Sequence, residues 1–285
     1  MLTVAQLLAQ SGLPPLEARM LLERVLGQTS AWLIAHADEA PGAEAAQAFA
    51  ALAERRRRGE PVAYILGGRE FYGLEFRVAP AVLIPRPETE LLVELALDRI
   101  PADAAVRVLD LGTGSGAIAV TLAKLRPQAR LTAVDVDYAA LSVARANAGR
   151  HGVRVRFFCG DWFGALSGET FDLIVSNPPY VAAADTHLAM GDVRFEPQRA
   201  LAGGMDGLDC IRAIVANAGA HLRPGAWLLF EHGYDQAEAC AALLEAHGYL
   251  EAQTWPDLAG IARVSGGRAA PIGLTVGRQV GRIQT

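Results

Sequence analysis

Asn177, Pro178, Pro179 and Tyr180 close the apolar run Phe171-Asp-Leu-Ile-Val-Ser176, and they form the most chemically specific string in the chain. Consecutive prolines force an extended, rigid turn. On such a turn the Asn177 side-chain oxygen and a proline carbonyl are fixed acceptors, and the Tyr180 ring offers a flat face. This set suits a planar NH₂ group, either an amide or the exocyclic amine of a base. The acceptors hold both N–H bonds and leave the nitrogen aimed at a methyl group. An amide nitrogen is a poor nucleophile, because its lone pair is conjugated with the carbonyl. Catalysis there would come from alignment and electrostatics more than from a general base.

Three further strings are candidates to hold the methyl donor. Val108-Leu-Asp-Leu-Gly-Thr-Gly-Ser-Gly116 is a hydrophobic strand that ends in glycines and opens a helix. Glycine lets the backbone bend sharply and approach a ligand closely. A dinucleotide fold would cradle a pyrophosphate at such a turn. Here the spacing is G-x-G-x-G, and Asp110 ends the strand before it. That arrangement suits S-adenosylmethionine, whose amino-acid end is zwitterionic and carries no phosphate. Asp110, Gly112, Thr113, Gly114, Ser115 and Gly116 are therefore candidate cofactor contacts. Asp135 ends the next apolar run, Leu-Thr-Ala-Val-Asp. A carboxylate at a strand tip can accept both hydroxyls of a ribose. Gly160-Asp161-Trp162 follows a third strand, where an aromatic ring and an acid can flank an adenine. The six His are scattered, without H-E-x-x-H, and no metal site is expected.

These strings need a scaffold of alternating strands and helices. The pattern predicts strands over Val106–Asp110, Leu131–Asp135, Val153–Phe158, Phe171–Ser176 and Ala226–Glu231. It predicts helices over Gly116–Leu125, Tyr138–His151, Leu208–His221 and Gln236–His247. Such alternation implies a doubly wound, mostly parallel sheet with ligands at the carboxyl ends of its strands. Residues 1–60 read instead as short helices, from apolar residues at helical spacing. Ala43–Arg58 ends in four consecutive Arg, Arg55 to Arg58, with Gly59 as a stop. Cations at a helix C-terminus oppose the macrodipole and stay solvated. The alternative for this run is contact with RNA or an acidic partner. Residues 61–85 change character. Aromatic and β-branched residues alternate around Gly73, as in a hairpin that connects the two parts. Pro87 then opens a helix with Glu88 and Glu90 in its first turn, within a third unit of residues 86–285.

Composition narrows the class. The chain has 285 residues, 52% hydrophobic and 20% charged, the balance of a globular protein with a sizeable core. A net charge of −5 argues against gripping nucleic acid through bulk charge, so no direct nucleic-acid binding is expected. Cys159, Cys210 and Cys240 are far apart and form no C-x-x-C, which fits a reducing cytosol. The N-terminus lacks the basic start and long apolar run of a signal peptide, and no stretch has the length of a membrane span. A cytoplasmic enzyme, acting as a monomer, is expected.

Taken together, PVAYILGGREFYGLEF, VLIPRPETE, DLGTGSGAIA, SNPPY, FEPQRALAGGMDGLD and the stretch around Gln236 closely resemble the PrmC/HemK-type protein-(glutamine-N5) methyltransferases, which act on peptide chain release factors. The resemblance runs from the helical N-terminal region to about Gly267. It implies a class I S-adenosylmethionine-dependent methyltransferase fold, Rossmann-like with a seven-stranded mostly parallel sheet, and a small N-terminal helical domain. It implies that Gly112 to Gly116 hold the methionine part of S-adenosylmethionine, that Asp135 binds its ribose and that Trp162 lies beside it. Asn177, Pro178, Pro179 and Tyr180 would receive the glutamine amide, with Asn177 also close to the cofactor. The substrate implied is the Gln of the Gly-Gly-Gln loop of class-1 release factors, and the product is S-adenosylhomocysteine. Residues 1–60 would contact the release factor away from that loop, and Glu196-Pro197 would shape the acceptor pocket.

Other readings share part of this pattern. A sister family that methylates a ribosomal-protein glutamine also has N-P-P-Y, but resembles V-P-R-S-P where this chain has Leu83-Ile-Pro-Arg-Pro-Glu-Thr-Glu90. Adenine amino-methyltransferases use N-P-P-Y on a flipped base, and usually need a recognition domain and a basic channel. The net charge of −5 argues against that, though Arg55 to Arg58, with Arg150, Arg154 and Arg156, could form patches. A module that only binds a partner would be expected to have lost Asp110, Asp135 or N-P-P-Y. A nicotinamide-dependent dehydrogenase has no use for N-P-P-Y. The chain departs from the family pattern at Ile261 and Ala262, where polar residues are usual, and in Ala269–Thr285, which reads as a loose tail or an added strand.

Overall fold

The computed structural model describes residues 1–271, so most of the C-terminal tail lies outside the described residues. The chain begins with α1 (Val4–Gln10), α2 (Pro15–Leu26), α3 (Ser30–Ala35) and α4 (Ala43–Arg57). Helix α1 starts on a reciprocal cap: Gln6 N–H donates to Thr3 Oγ1 at 3.2 Å, and Thr3 N–H donates to Gln6 Oε1 at 3.0 Å. The apolar residues at helical spacing converge on one cluster, with Val4, Leu21, Leu22, Leu33 and Phe49 at its centre.

The Arg run lies at the end of α4, with Arg55, Arg57 and Arg58 exposed and Arg56 half-buried. Arg55 pairs with Glu60, Arg57 and Arg58 pair with Glu54, and Arg56 pairs with both Glu17 and Asp192. Acids of the same chain pair with each member of the run, so it is not a free cationic patch.

The connector holds a helix that the alternating pattern concealed. Pro61 opens α5 (Val62–Leu66), because its carbonyl accepts from Tyr64 N–H and Ile65 N–H at 3.0 Å each. Val62, Ile65 and Leu66 pack with the helical cluster. The hairpin follows as β1 (Gly68–Phe71) and β2 (Leu74–Arg77), antiparallel around Tyr72-Gly73. Its Phe71 and Phe76 are buried in the core of the following sheet.

A short 3₁₀ turn, Pro87–Thr89, leads into α6 (Glu90–Arg99). Then come β3 (Arg107–Leu111), α7 (Ala117–Leu125), β4 (Arg130–Asp135), α8 (Tyr138–His151), β5 (Val155–Cys159) and β6 (Phe171–Ser176). The chain continues through α9 (Asp209–Ala218), β7 (Leu222–Glu231), α10 (Ala237–Ala246), β8 (Leu250–Pro256) and β9 (Ala262–Arg268). Seven strands form one sheet in the order β5-β4-β3-β6-β7-β9-β8. The pairs from β5 to β7 are parallel, while β9 runs antiparallel to both β7 and β8.

Side chains alternate across this sheet, as the pleat requires. Val108, Leu173 and Leu229 join the cluster that holds α6 and α7, whereas Leu109, Ile174 and Leu228 join the one that holds α9 and α10. Strands β3, β4, β6 and β7 are therefore apolar on both faces and read as continuous hydrophobic runs, whereas the edge strand β5 exposes Arg156. Strand β9 escaped the sequence pattern because Ser265-Gly266-Gly267 reads as a loop. Gly266 is there for closeness: a Cβ would sit 2.4 Å from the Leu228 carbonyl oxygen.

Candidate active site

The carboxyl ends of β3, β4, β5 and β6 open onto one cavity of about 280 Å³. Gly112, Thr113, Gly114 and Ser115 form one wall, with Asp135, Trp162, Asn177 and Pro179 around them. The structure thus brings four separate sequence strings to a single space.

Between β3 and α7 the loop takes left-handed backbone at Gly112, Gly114 and Gly116, with φ of 69°, 54° and 81°. Only glycine adopts such a series without strain. Gly112 N–H and Thr113 N–H donate to the Val134 carbonyl at 2.9 and 3.0 Å, which seats the loop on β4. Nothing lies within 4 Å of a Cβ built at Gly114, so the loop's centre is open.

Asp110 and Gly116 lie behind the cavity wall. Asp110 is fully buried beneath the loop. Its Oδ2 accepts from Thr113 Oγ1 at 2.6 Å and from Ala119 N–H at 3.2 Å, holding the loop to the first turn of α7. Burial pushes this carboxyl up to about 7, against the pull of those two hydrogen bonds. Gly116 serves helix packing instead: a Cβ there would lie 3.1 Å from Ala144 Cβ on α8.

Asp135 is on the wall. Its Oδ2 accepts from Gly114 N–H at 2.8 Å and its Oδ1 from Asp137 N–H at 2.9 Å. A carboxylate has about four acceptor positions, so two remain for a ligand's hydroxyls. Trp162, in a left-handed turn at φ 45°, stands over Gly112: its ring lies 3.6 Å from a Cβ built there. Ile118, Val134, Val136 and Ala140 add apolar wall, and Arg199 donates to Asp137 Oδ2 at 3.2 Å. A flat ring, apolar sides, a strand-tip carboxylate and an open glycine loop match the adenine, ribose and zwitterionic end of S-adenosylmethionine.

On the opposite side Asn177 and Pro179 face the cavity, while Pro178 is buried behind them. Tyr180 is not on the wall; its hydroxyl donates to Glu231 Oε1 at 3.1 Å. Asn177 Nδ2 donates to Thr89 Oγ1 at 3.0 Å. Burial, with the Glu231 charge beside it, drives the Tyr180 phenol well above its ordinary range. Burial likewise pushes Glu231 up to about 7.

Two devices lock this turn. Gln236 Nε2 donates to the Tyr180 carbonyl at 2.9 Å, and Gln236 Oε1 accepts from Gly233 N–H at 2.8 Å. The Gly203-Gly204-Met205-Asp206-Gly207 loop packs its backbone against the same turn. A Cβ at Gly203 would be 2.5 Å from the Pro179 carbonyl oxygen, and one at Gly207 would be 2.3 Å from that of Tyr180.

Glu196 acts at one remove from the cavity. Its buried carboxylate accepts from Ile84 N–H at 3.0 Å and pairs with Arg86, and Arg86 reaches the wall. Sequence reasoning missed Thr89, Asn147 and Glu231. Thr89 and Glu231 lie in quoted or adjacent strings, but no local spacing points to their contacts. Asn147 is a buried polar residue on an Ala-rich helix. Its side chain accepts from Arg77 N–H at 2.8 Å and donates to the Ser115 carbonyl at 2.8 Å, joining the hairpin to the glycine loop.

The chain is similar to known proteins. Two family profiles match: the PrmC N-terminal domain over residues 3–67 and the methyltransferase small domain over residues 88–204. The release factor glutamine methyltransferase of Bordetella pertussis is 54% identical over 94% of this chain and 99% of its own length. That of Burkholderia pseudomallei is 53% identical over 93% of this chain and 96% of its own. Among solved structures, a T. thermophilus 16S rRNA methyltransferase in complex with AdoMet and guanosine is similar, with a TM-score of 0.52 and 25% identity over 70% of this chain and 49% of its own.

Proposed function

The chain belongs to the release factor glutamine methyltransferase family, and from that premise we propose how its cavity divides the work between methyl donor and acceptor amide. The enzyme methylates a glutamine side chain of a peptide chain release factor. We assign the glutamine to the Gly-Gly-Gln loop of class-1 factors, with the N-terminal helices gripping the factor elsewhere. The reading has the enzyme act in the cytoplasm as a monomer, without a metal and without binding nucleic acid directly.

S-adenosylmethionine supplies the methyl group on a positively charged sulfur and leaves as S-adenosylhomocysteine. The open loop at Gly114 takes the amino-acid end, in contact with Thr113 and Ser115. Asp135 accepts the ribose hydroxyls and Trp162 covers the adenine. Asp110 and Gly116 shape the loop from beneath.

Asn177 Oδ1 and a proline carbonyl of the turn accept the two N–H bonds of the substrate amide. Tyr180 and Glu196 keep their places behind them, Glu196 through Arg86. The nitrogen is then held in line with the methyl group. Alignment of this kind removes much of the entropic barrier. The charge on sulfur disappears as the methyl leaves, so an apolar wall favours the transition state over the reactants. The amide proton departs to water after transfer.

The observation that carries this reading is that the Asn177-to-Tyr180 turn and the glycine loop share one cavity. The test is transfer of labelled methyl from S-adenosylmethionine to a purified class-1 release factor, beside a Gly-Gly-Ala loop variant. Label on the native factor alone supports the reading. Label on both moves the target elsewhere on the factor.

A further inference from the structure

We propose that Met205, Tyr234 and Leu258 form a docking surface for the release factor, taking the part of the factor that surrounds its methylated loop. The inference rests on the reading that this loop enters the cavity past the Asn177-to-Tyr180 turn, and it adds where the rest of the factor sits.

Exposed large apolar side chains are unevenly placed around the sheet. At the amino ends of its parallel strands the described residues expose Leu125 and Leu250, each at 41%. Beyond the carboxyl ends stand Val136, Tyr138, Met205, Tyr234, Leu258 and Ile261. Met205 is 92% exposed, Tyr234 71%, and Leu258 entirely. A single exposed apolar side chain is ordinary. A gathering of them at the end that holds the cavity marks a surface for a partner.

The three side chains ride on loops fastened to the acceptor turn. Met205 lies in the loop whose Gly203 and Gly207 press on the Pro179 and Tyr180 carbonyls. Tyr234 lies in the turn after β7 that Gln236 closes. The Gln236 amide bonds Gly233 N–H at 2.8 Å, the Tyr180 carbonyl at 2.9 Å and the Asp206 carbonyl at 3.4 Å, which ties both loops to the turn. Leu258 tips the hairpin between β8 and β9. Val264 of β9 pairs with Glu231 of β7, and His232 N–H donates to the Arg263 carbonyl at 2.9 Å, so the tip leaves the sheet at the end where the Tyr234 turn begins.

That tip is tightly built. Asp257 Oδ1 accepts from Ala259 N–H at 2.9 Å and Ile261 N–H at 3.0 Å. Asp257 Oδ2 accepts from Arg263 Nε at 3.1 Å, and Asp257 N–H donates to the Ile261 carbonyl at 2.8 Å. The most exposed of the large apolar side chains is therefore held out by a loop whose own polar groups are bonded. A rigidly presented side chain loses little freedom on docking, and binding energy concentrates in such anchors. A glutamine that reaches the cavity brings its protein over these loops. A docked factor then fixes the entry of the loop, which alignment of a poorly nucleophilic amide requires.

The experiment uses the full chain and a purified class-1 release factor. In the triple variant Met205→Ala/Tyr234→Ala/Leu258→Ala, Kd for the factor, read by calorimetry with S-adenosylhomocysteine present, should rise about tenfold or more, the scale of losing apolar anchors. The same rise is expected with the Gly-Gly-Ala factor, because the contact lies outside the glutamine. At saturating factor, kcat should stay within about twofold, and so should Kd for S-adenosylmethionine, since none of the three lines the cavity. Leu125→Ala/Leu250→Ala, at the other end of the sheet, should bind the factor as wild type does.

An unchanged Kd for the factor in the triple variant overturns the proposal, and so does an equal loss in the amino-end control. A fall in saturated kcat or in affinity for S-adenosylmethionine means that the acceptor turn has moved, and also overturns it. A wild-type chain that self-associates in sedimentation, beside a triple variant that does not and binds the factor normally, assigns the surface to a second copy instead. If the triple variant fails to fold, Leu258→Ala alone decides: binding weakened about threefold or more supports the surface, and unchanged binding overturns it. A wild-type chain that labels no release factor overturns the functional reading, whereas normal labelling with unchanged Kd in the variant overturns the docking surface alone.

Discussion

Arg56 Nη1 lies 2.6 Å from Asp192 Oδ1 and joins the last turn of α4 to the segment that leads into Glu196. The same guanidinium holds Glu17 on α2 at 2.7 Å, with only 17% of the side chain exposed. Arg194 adds a hydrogen bond to the Arg58 carbonyl at 2.8 Å. The helical region is thus latched to the segment whose glutamate anchors Ile84 and Arg86 at the cavity.

This latch makes a stability prediction with unequal arms. Arg56→Ala leaves two carboxylates facing a partly buried gap, and should cost about 1–3 kcal/mol in urea denaturation. Asp192→Asn removes only the more exposed partner and should cost about 0–1 kcal/mol. Equal and negligible costs would show that the pair contributes nothing to stability.

Asn177→Ala removes the side chain proposed as the amide's acceptor on the cavity wall. It should lower kcat by on the order of 10²-fold, as loss of one preorganised polar contact does. Affinity for S-adenosylmethionine, read by calorimetry, should fall much less. Near-normal turnover would sink the assigned role.

Asp110→Asn tests the buried acid beneath the loop. Its folded carboxyl sits at about 7 against an ordinary 3.8, so the folded state binds this proton more tightly than the unfolded one. The stability it contributes is complete below about pH 4 and is lost as pH rises toward 7. The variant cannot titrate there. Wild-type stability minus variant stability should therefore fall by a few kcal/mol, to order of magnitude, between about pH 4 and 8. Asp206, held down at about 2 by Arg212, titrates outside this window. Asp135 and Glu231, raised like Asp110, cancel in the difference to the extent that their own shifts are unchanged. A difference that stays flat across the range would contradict the burial argument.

Gly207→Ala tests how the catalytic turn is pressed into place. The position has φ 78°, and an added Cβ would meet the Tyr180 carbonyl oxygen at 2.3 Å. Left-handed backbone and overlap act together, so a loss of about 2 kcal/mol or more is expected. Because the Tyr180 backbone must move, kcat should drop further than affinity for S-adenosylmethionine. A variant with wild-type stability and turnover would mean that the turn does not rely on this contact.

Much of the sheet was legible in the chain. Val108, Leu109, Leu131, Leu173, Ile174 and Leu228 lie in short apolar runs bounded by Gly, Pro or Asp, and each run became a parallel strand buried on both faces. The glycine spacing after Asp110 showed where the backbone turns left-handed. Helix α5 and strand β9 were not legible for opposite reasons. The residues of α5 are a short unbroken apolar run after Pro61, too short to show a helical period, and Gly266 in β9 is chosen for nearness to Leu228 rather than for strand preference.

What the sequence by itself determined was local: turn chemistry, strand tips, and the residue types of the acceptor string. Those follow from neighbours in the chain, where steric rules act on φ and ψ without help from the rest of the molecule. Only the tertiary structure decided which polar groups meet. Tyr180 finds Glu231 across 51 positions, Asn177 finds Thr89 across 88, and Arg56 finds Asp192 across 136. It also decided that Asp110 lies under the loop rather than on the cavity wall, since burial belongs to the packed sheet and not to the motif. Spacing along the chain carries no signal for such pairs. The sheet brings their strands and loops to one end, and the low dielectric there decides which of them stay charged.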